Sequence, residues 1–165
     1  MERQTIEQTM EVMPNGTRRL AVQLRTPLPS SLLWSVLTDY DQLSEFIPNL
    51  SRSTLISRTG NTVMLSQVGT QKLMGLRFTA QVELELTEDP EHSLLKFHLL
   101  KGDFRRFEGS WRMTELSEGT SLLYELTVQG CVGMPISLIE QRLREDLSAN
   151  LLAVENEALR RNSLG

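Results

Sequence analysis

The sequence predicts an α+β protein in which a curved antiparallel sheet of about seven strands wraps one long C-terminal helix. Three observations carry that reading. From Met134-Pro135 to about Arg161, the residues Ile136, Ile139, Leu143, Leu147, Val154 and Ala158 recur at spacings of three and four, with one interval doubled across Asn150. They share one face of a helix about seven turns long. From Ser51 onward the hydrophobic period falls to two, and six consecutive segments read as strands joined by hairpin-length turns. Before them, one strand is followed by two short helices. A helix with one long apolar face needs a broad apolar partner, and the sheet supplies it.

Residues 1–16 are polar and end in the turn signal Pro14-Asn15-Gly16, which makes them an arm or an edge strand ahead of one domain over 17–161. Arg18 to Arg25 alternates, with Leu20, Val22 and Leu24 on one face, and reads as the first strand. Thr26-Pro27-Leu28-Pro29-Ser30 breaks it. A short helix then buries Leu33, Trp34, Val36 and Leu37; Asp39 or Asp41 caps a second one, which Pro48-Asn49 ends. Thr59-Gly60-Asn61 joins a hairpin of Ser51–Arg58 with Thr62–Val68. The cleanest alternation follows: Leu76, Phe78, Ala80, Val82, Leu84 and Leu86 face inward, while Arg77, Glu83 and Glu85 face water. Further strands run over Leu94–Leu100, through Phe107, Gly109, Trp111 and Met113, and through Leu122, Tyr124, Leu126 and Val128. On the helix, Ser137 with Glu140 has capping-box spacing, and the pairs Glu140/Arg144 and Arg142/Asp146 support an exposed side.

Composition excludes several classes. The chain has 165 residues, 39% hydrophobic and 23% charged, which is enough for a buried core without covalent staples. A net charge of −4 and a pI near 5.3 argue against a general nucleic-acid binder. One cysteine, Cys131, forms no internal disulfide and fits a reducing, cytoplasmic setting. No signal-peptide run follows Met1, and no apolar stretch approaches the about 18 residues a membrane span needs.

The order of elements, together with particular residues, resembles the START-like (SRPBCC) superfamily of polyketide cyclases, lipid-transfer domains and coenzyme Q-binding proteins. The residues that carry it are Leu32-Leu33-Trp34-Ser35-Val36-Leu37-Thr38-Asp39-Tyr40, Phe46-Ile47-Pro48, Gly102-Asp103-Phe104, Phe107-Glu108-Gly109-Ser110-Trp111 and Pro135-Ile136-Ser137-Leu138-Ile139-Glu140. The nearest likeness is to the coenzyme Q-binding and polyketide-cyclase branch, in the versions found in oxygenic phototrophs. The resemblance covers roughly residues 17–160. It implies a helix-grip (START/Bet v 1-like) fold with a hydrophobic tunnel between sheet and helix. Periodicity alone implies only a core, packed solid or hollow.

If the interface is hollow, the ligand contacts are Phe78, Val82, Phe97, Phe107, Trp111 and Tyr124 from the strands and Leu143 and Leu147 from the helix. Asn150 lies between Leu147 and Val154, so its amide must find a partner, either a ligand carbonyl such as that of a quinone, or backbone and water. Gln67 shares the phase of Val63 and Leu65, and Glu140 sits near the edge of the helix face; each is a second polar candidate, with capping as the alternative for Glu140. Gly109 either leaves room for a ligand or marks a bend. Asp103 in Asp103-Phe104-Arg105-Arg106 pairs with an arginine or forms an Asx turn, at a tip that guards the cavity mouth. Leu73-Met74-Gly75-Leu76 either touches a membrane transiently, gates the pocket or folds inward. Leu138, Leu152 and Leu159 fall on the far side of the helix, a surface for a partner or a dimer.

Catalysis finds little support. His92 lies in an acidic turn, His98 points away from the core, and no spacing of His, Cys and Asp makes a metal site. No cofactor motif is present. Three readings follow: a non-catalytic binder or carrier of a prenylquinone, isoprenoid or other lipid; an aromatic polyketide cyclase or dehydratase; or a protein-interaction module. The oligomeric state stays open.

Overall fold

The structure is a computed structural model that describes residues 6–73, 75–131, 133 and 136–164, with the side chains of 71–73 and 136–139 left aside. Its strands are β1 (Ile6–Met13), β2 (Thr17–Thr26), β3 (Leu50–Thr59), β4 (Thr62–Leu73), β5 (Leu76–Asp89), β6 (Leu94–Gly102), β7 (Phe104–Leu116) and β8 (Gly119–Gly130). They form one antiparallel sheet in the order β1-β2-β8-β7-β6-β5-β4-β3. The strand beyond the expected seven is β1, the N-terminal arm, which pairs along β2 from Ile6↔Leu24 to Met13↔Thr17. Between β2 and β3 the chain crosses to the opposite edge through α1 (Ser30–Leu37) and the single turn α2 (Leu43–Phe46). This is the helix-grip fold, with α3 (Ile136–Leu164) held against the concave face.

Curvature comes from register shifts. Two residues oppose one at Leu50/Arg52, Leu55/Ser57, within Leu99–Lys101 opposite Glu83/Leu84, and between Phe104 and Arg106. Each such bulge bends its strand and sharpens its twist. On the concave face Leu20, Val22, Leu24, Leu122, Leu126 and Val128 are fully or nearly fully buried. Leu147, Leu151, Val154 and Ala158 of α3 pack with them. The interval that the sequence leaves doubled is therefore filled by Leu151, which is 0% exposed. Ile136, Ser137, Leu138 and Ile139 carry expectations that lie outside the described side chains.

Several local expectations are corrected. Neither Asp39 nor Asp41 caps α2; Asp41 Oδ1 instead accepts the Leu55 N–H at 2.7 Å, and Asp39 accepts from Arg161 at 2.9 Å. Asp103 neither pairs with an arginine nor closes on its own turn. Its Oδ2 accepts the Gln81 N–H at 2.8 Å and its N–H returns to the Gln81 carbonyl at 2.9 Å, so it extends the β5 ladder. Leu152 packs against the core, because the buried stripe of α3 is wider than one row, whereas Leu159 is 47% exposed. Asp146, read as half of an exposed pair with Arg142, is buried.

Ion pairs fasten the helix. Arg18 on β2 meets Glu140 at 2.8 Å, Gln8 on β1 donates to the Arg144 carbonyl and Ser148 hydroxyl, and Arg161 bridges Glu157 and Asp39. Hydrogen bonding from Arg160, joined by Arg161, holds the Glu157 carboxyl down at about 2. Arg58, with the Tyr40 hydroxyl, lowers Glu88 in the same direction. A carboxyl depressed in the fold stabilises it above its unfolded pKa and loses that contribution as pH falls through the folded value. Stability should therefore decline as pH drops from about 4.5 toward about 2. Urea midpoints across that range should fall less steeply for Glu157→Gln; a parallel decline would show that the pair contributes nothing to the pH response.

Candidate functional site

The backbone contacts of α3 lie mainly with β2, β8, β1 and the short helices. On that side helix and sheet interdigitate. Over β4–β7 the sheet stands off, and a cavity of about 420 Å³ lies between it, α3 and the Ile47–Leu50 segment. The interface is thus packed at one end and hollow at the other.

Every candidate read from the sequence lines this cavity except Glu140. Phe97, Phe107, Trp111 and Tyr124 come from alternate positions of β6, β7 and β8, which places them on one concave face. They form a contiguous aromatic wall, with Trp111 and Tyr124 ring centroids 4.3 Å apart and Phe97 at 5.9 Å from both Phe107 and Tyr124. Phe104 continues it, 5.2 Å from Phe107, which places the Asp103-Phe104 tip at the cavity. Burial pushes the Tyr124 hydroxyl well above its usual range, so it is a neutral phenol at physiological pH. Phe78 and Val82 face this wall from β5, and Leu143 and Leu147 close it from the helix.

Glu140 departs from expectation because Arg18 is within reach: the carboxylate accepts from Nε at 2.8 Å and has Arg144 at 3.7 Å. A carboxylate with two guanidinium neighbours is better satisfied there than in an apolar cavity. Gln67 lines the cavity, and its amide donates to Ser53 Oγ at 3.2 Å. Asn150 lines it too, and its Oδ1 is buried with no hydrogen-bond partner among the described residues. An unpartnered amide oxygen in an interior costs about 1–3 kcal/mol, so this is a standing demand for a donor.

The sequence reading missed Asp146 and Asn49. Asn49 adopts a left-handed conformation at φ 64° that turns its side chain toward the helix, where Nδ2 donates to Asp146 Oδ1 at 3.0 Å. Both line the cavity beside Asn150. Burial raises the Asp146 carboxyl above its ordinary range, against the opposing pull of Arg142 and Asn49. The helix thus presents a short polar row, Asp146 and Asn150 one turn apart, to an otherwise apolar space. Pro48-Asn49 was a visible signal, but as a helix stop.

Gly109 does not open the cavity. A Cβ there would lie 1.9 Å from the Glu125 carbonyl oxygen, so the glycine is needed for close approach of β7 and β8. Cys131 donates to the Asp103 carbonyl at 3.2 Å, a structural role beside the tip. His98 faces outward with Glu85 at 3.4 Å. Asp89, Glu91 and His92 cluster on the surface, where His92 pairs with Asp89 at 2.9 Å. No helix among the described residues is long and apolar enough to cross a membrane.

The same architecture recurs in solved structures. The STAR-related lipid transfer protein fragment from Xanthomonas axonopodis superposes with a TM-score of 0.79 at 14% identity, covering 93% of each chain. The Zhui aromatase/cyclase from Streptomyces sp. R1128 gives 0.76 at 17% identity over 88% of this chain and 95% of its own. A START superfamily protein from Mycobacterium smegmatis gives 0.69 at 14% identity over 86% and 97%. At such identities these likenesses speak for the fold, and they include a carrier and an enzyme alike. No curated protein sequence matches the chain. Residues 26–155, which hold β3 to β8, the helices α1 and α2 and most of α3, match the family model for polyketide cyclase / dehydrase and lipid transport, and the chain belongs to that family.

Proposed function

We propose that this protein binds and carries a hydrophobic small molecule, without transforming it, in the cavity between β4–β7 and α3. The observation that carries the reading is an apolar, aromatic-walled space of about 420 Å³ lined in part by Asn150, whose Oδ1 is buried and has no partner among the described residues. Aromatic and aliphatic walls with a few placed polar groups are what small-molecule sites need. The ligand's apolar body lies against Phe107, Trp111 and Leu147, and its polar head is oriented by Asn150, with Gln67 and Asp146 nearby on the lining. At interior packing density the volume holds roughly twenty to thirty non-hydrogen atoms. A prenylquinone ring with its first isoprene units fits that size, as does a single acyl chain; a longer tail would extend beyond the cavity. Reduced quinone supplies the hydroxyl donor that Asn150 Oδ1 demands. The lone cysteine supports a cytoplasmic site of action, and Leu76, 63% exposed at the start of β5, supports a transient membrane contact during loading.

Trp111 in the wall provides the readout. Titration with a short-tailed ubiquinol should quench its fluorescence with micromolar or tighter affinity, and Trp111→Phe should remove the signal while a thermal shift persists. Unchanged fluorescence and melting temperature at saturating quinol would refute the quinone assignment.

One observation favours a second reading, a cyclase or dehydratase acting on an aromatic polyketide-like substrate. Asp146 is a carboxyl with a raised pKa on a ligand-sized cavity, which is the state a general acid or base needs. Asp146→Asn separates the two: carriage survives it, whereas turnover of a polyketide-like substrate would be abolished.

A further inference from the structure

We infer that the facing pair Gly69–Ala80 is a specificity-determining notch, cut into the cavity wall to receive the apolar extension of the ligand. This rests on the carrier reading above. Along β4 and β5 the inward partners run Val63–Leu86, Leu65–Leu84, Gln67–Val82 and Gly69–Ala80. The first two pairs place two full side chains each on this face, with Val63 at 0% and Leu65 at 1% exposure, and Leu65, Leu84 and Leu86 border the cavity. At the fourth, a single methyl stands where its predecessors place two full side chains, and both residues line the cavity.

Neither its φ nor crowding requires Gly69 to be glycine, and the bulge between Leu50 and Arg52 opposite it lies on β3, not on its own strand. Gly102 and Gly119 hold φ values of +151° and +113° that disfavour side chains, and Gly109 is pressed against Glu125. Gly69 is outside the left-handed region, and a Cβ there would meet only the Asn49 carbonyl oxygen, at an ordinary 3.6 Å. A glycine inside a strand weakens it and packs nothing. Its place beside an alanine, on a sheet face otherwise carrying larger side chains, leaves a space in the wall. That space adjoins Phe78 on the next inward position of β5, so it accepts an alkyl or isoprenyl segment better than a polar one.

The test uses the whole protein and a homologous series of primary alcohols, 1-octanol through 1-octacosanol, whose about 9 to 29 non-hydrogen atoms run past the capacity of the cavity and whose hydroxyl also suits Asn150. Displacement of a naphthalene-sulfonate dye gives the affinity of each. In the wild type, affinity should rise roughly fourfold per methylene until the cavity is filled. Ala80→Leu adds three carbons to the notch, so the longest alcohols should weaken by roughly fifty-fold while 1-octanol is unaffected. Gly69→Ala, whose added methyl has room, should shorten the optimum by one methylene with no loss of melting temperature, and it carries the test if Ala80→Leu does not fold. The same optimum length in wild type and Gly69→Ala would overturn the notch and leave carriage standing. A wild type that binds no alcohol would overturn both.

Discussion

Leu151→Ala should cost about 2–5 kcal/mol of folding stability. Leu151 is 0% exposed and lies in the packed half of the interface, with Leu147, Val154 and the inward leucines of β2 and β8. Truncation there removes three carbons from contacts that helix and sheet cannot close over, because α3 is tied down at Arg18–Glu140 and again at Arg161–Asp39. Urea unfolding should show a lowered midpoint with an unchanged m-value. Leu151 itself does not line the cavity, so ligand affinity measured below the transition should change little. A cost under about 1 kcal/mol would mean that the helix is not seated as described.

The neighbouring residue should respond with the opposite sign. Asn150→Leu keeps side-chain shape and removes a buried oxygen that has no partner among the described residues. The variant should gain about 1–3 kcal/mol in the ligand-free state, the penalty of the orphaned acceptor. Affinity for a hydroxyl-bearing ligand should fall roughly 10- to 100-fold, because the ligand donor would now be buried unpaired. Stability bought at the expense of binding marks a site held ready for a ligand. Chemical denaturation and quinol titration on one preparation measure both. A destabilised Asn150→Leu with unaltered affinity would show that the amide serves the fold instead.

These two residues also show what a single sequence conveys. The strands were legible because one face of each meets the core and the other meets water, which writes a period of two directly into β2, β5 and β8. The residue types along the long helix were equally plain. Its finer phase was not: Asn150 and Leu151 are adjacent, the buried stripe is broad, and only the stand-off of β4–β7 assigns one to the cavity and the other to the packed side. Spacing registers that a residue is inward, not whether anything fills the space before it.

Asp146 was hidden for a different reason. At four residues from Arg142 it has the spacing of a solvated ion pair, and the nearest approach is in fact 3.9 Å. Its oxygen instead meets Asn49, distant in sequence and brought to the helix by a left-handed turn after Pro48. Glu140 is the converse case, drawn off the cavity by Arg18 across the sheet. Gly109, where the sequence left room for a ligand and a bend as alternatives, serves close strand approach instead. Asp146, Glu140 and Gly109 are each set by residues distant in sequence, and periodicity carries no record of those.

The central claim is that the hollow end of the grip exists to hold a hydrophobic cargo. Solvent extraction of natively expressed, purified protein, followed by mass spectrometry of the extract, tests it most directly. The account predicts one near-stoichiometric amphipathic molecule, a quinone or another isoprenoid lipid, with a ring or chain that fits about 420 Å³ and depletion of that molecule in Asn150→Leu. A folded protein that repeatedly yields an empty extract, and that retains none of the candidate lipids on incubation, would contradict it.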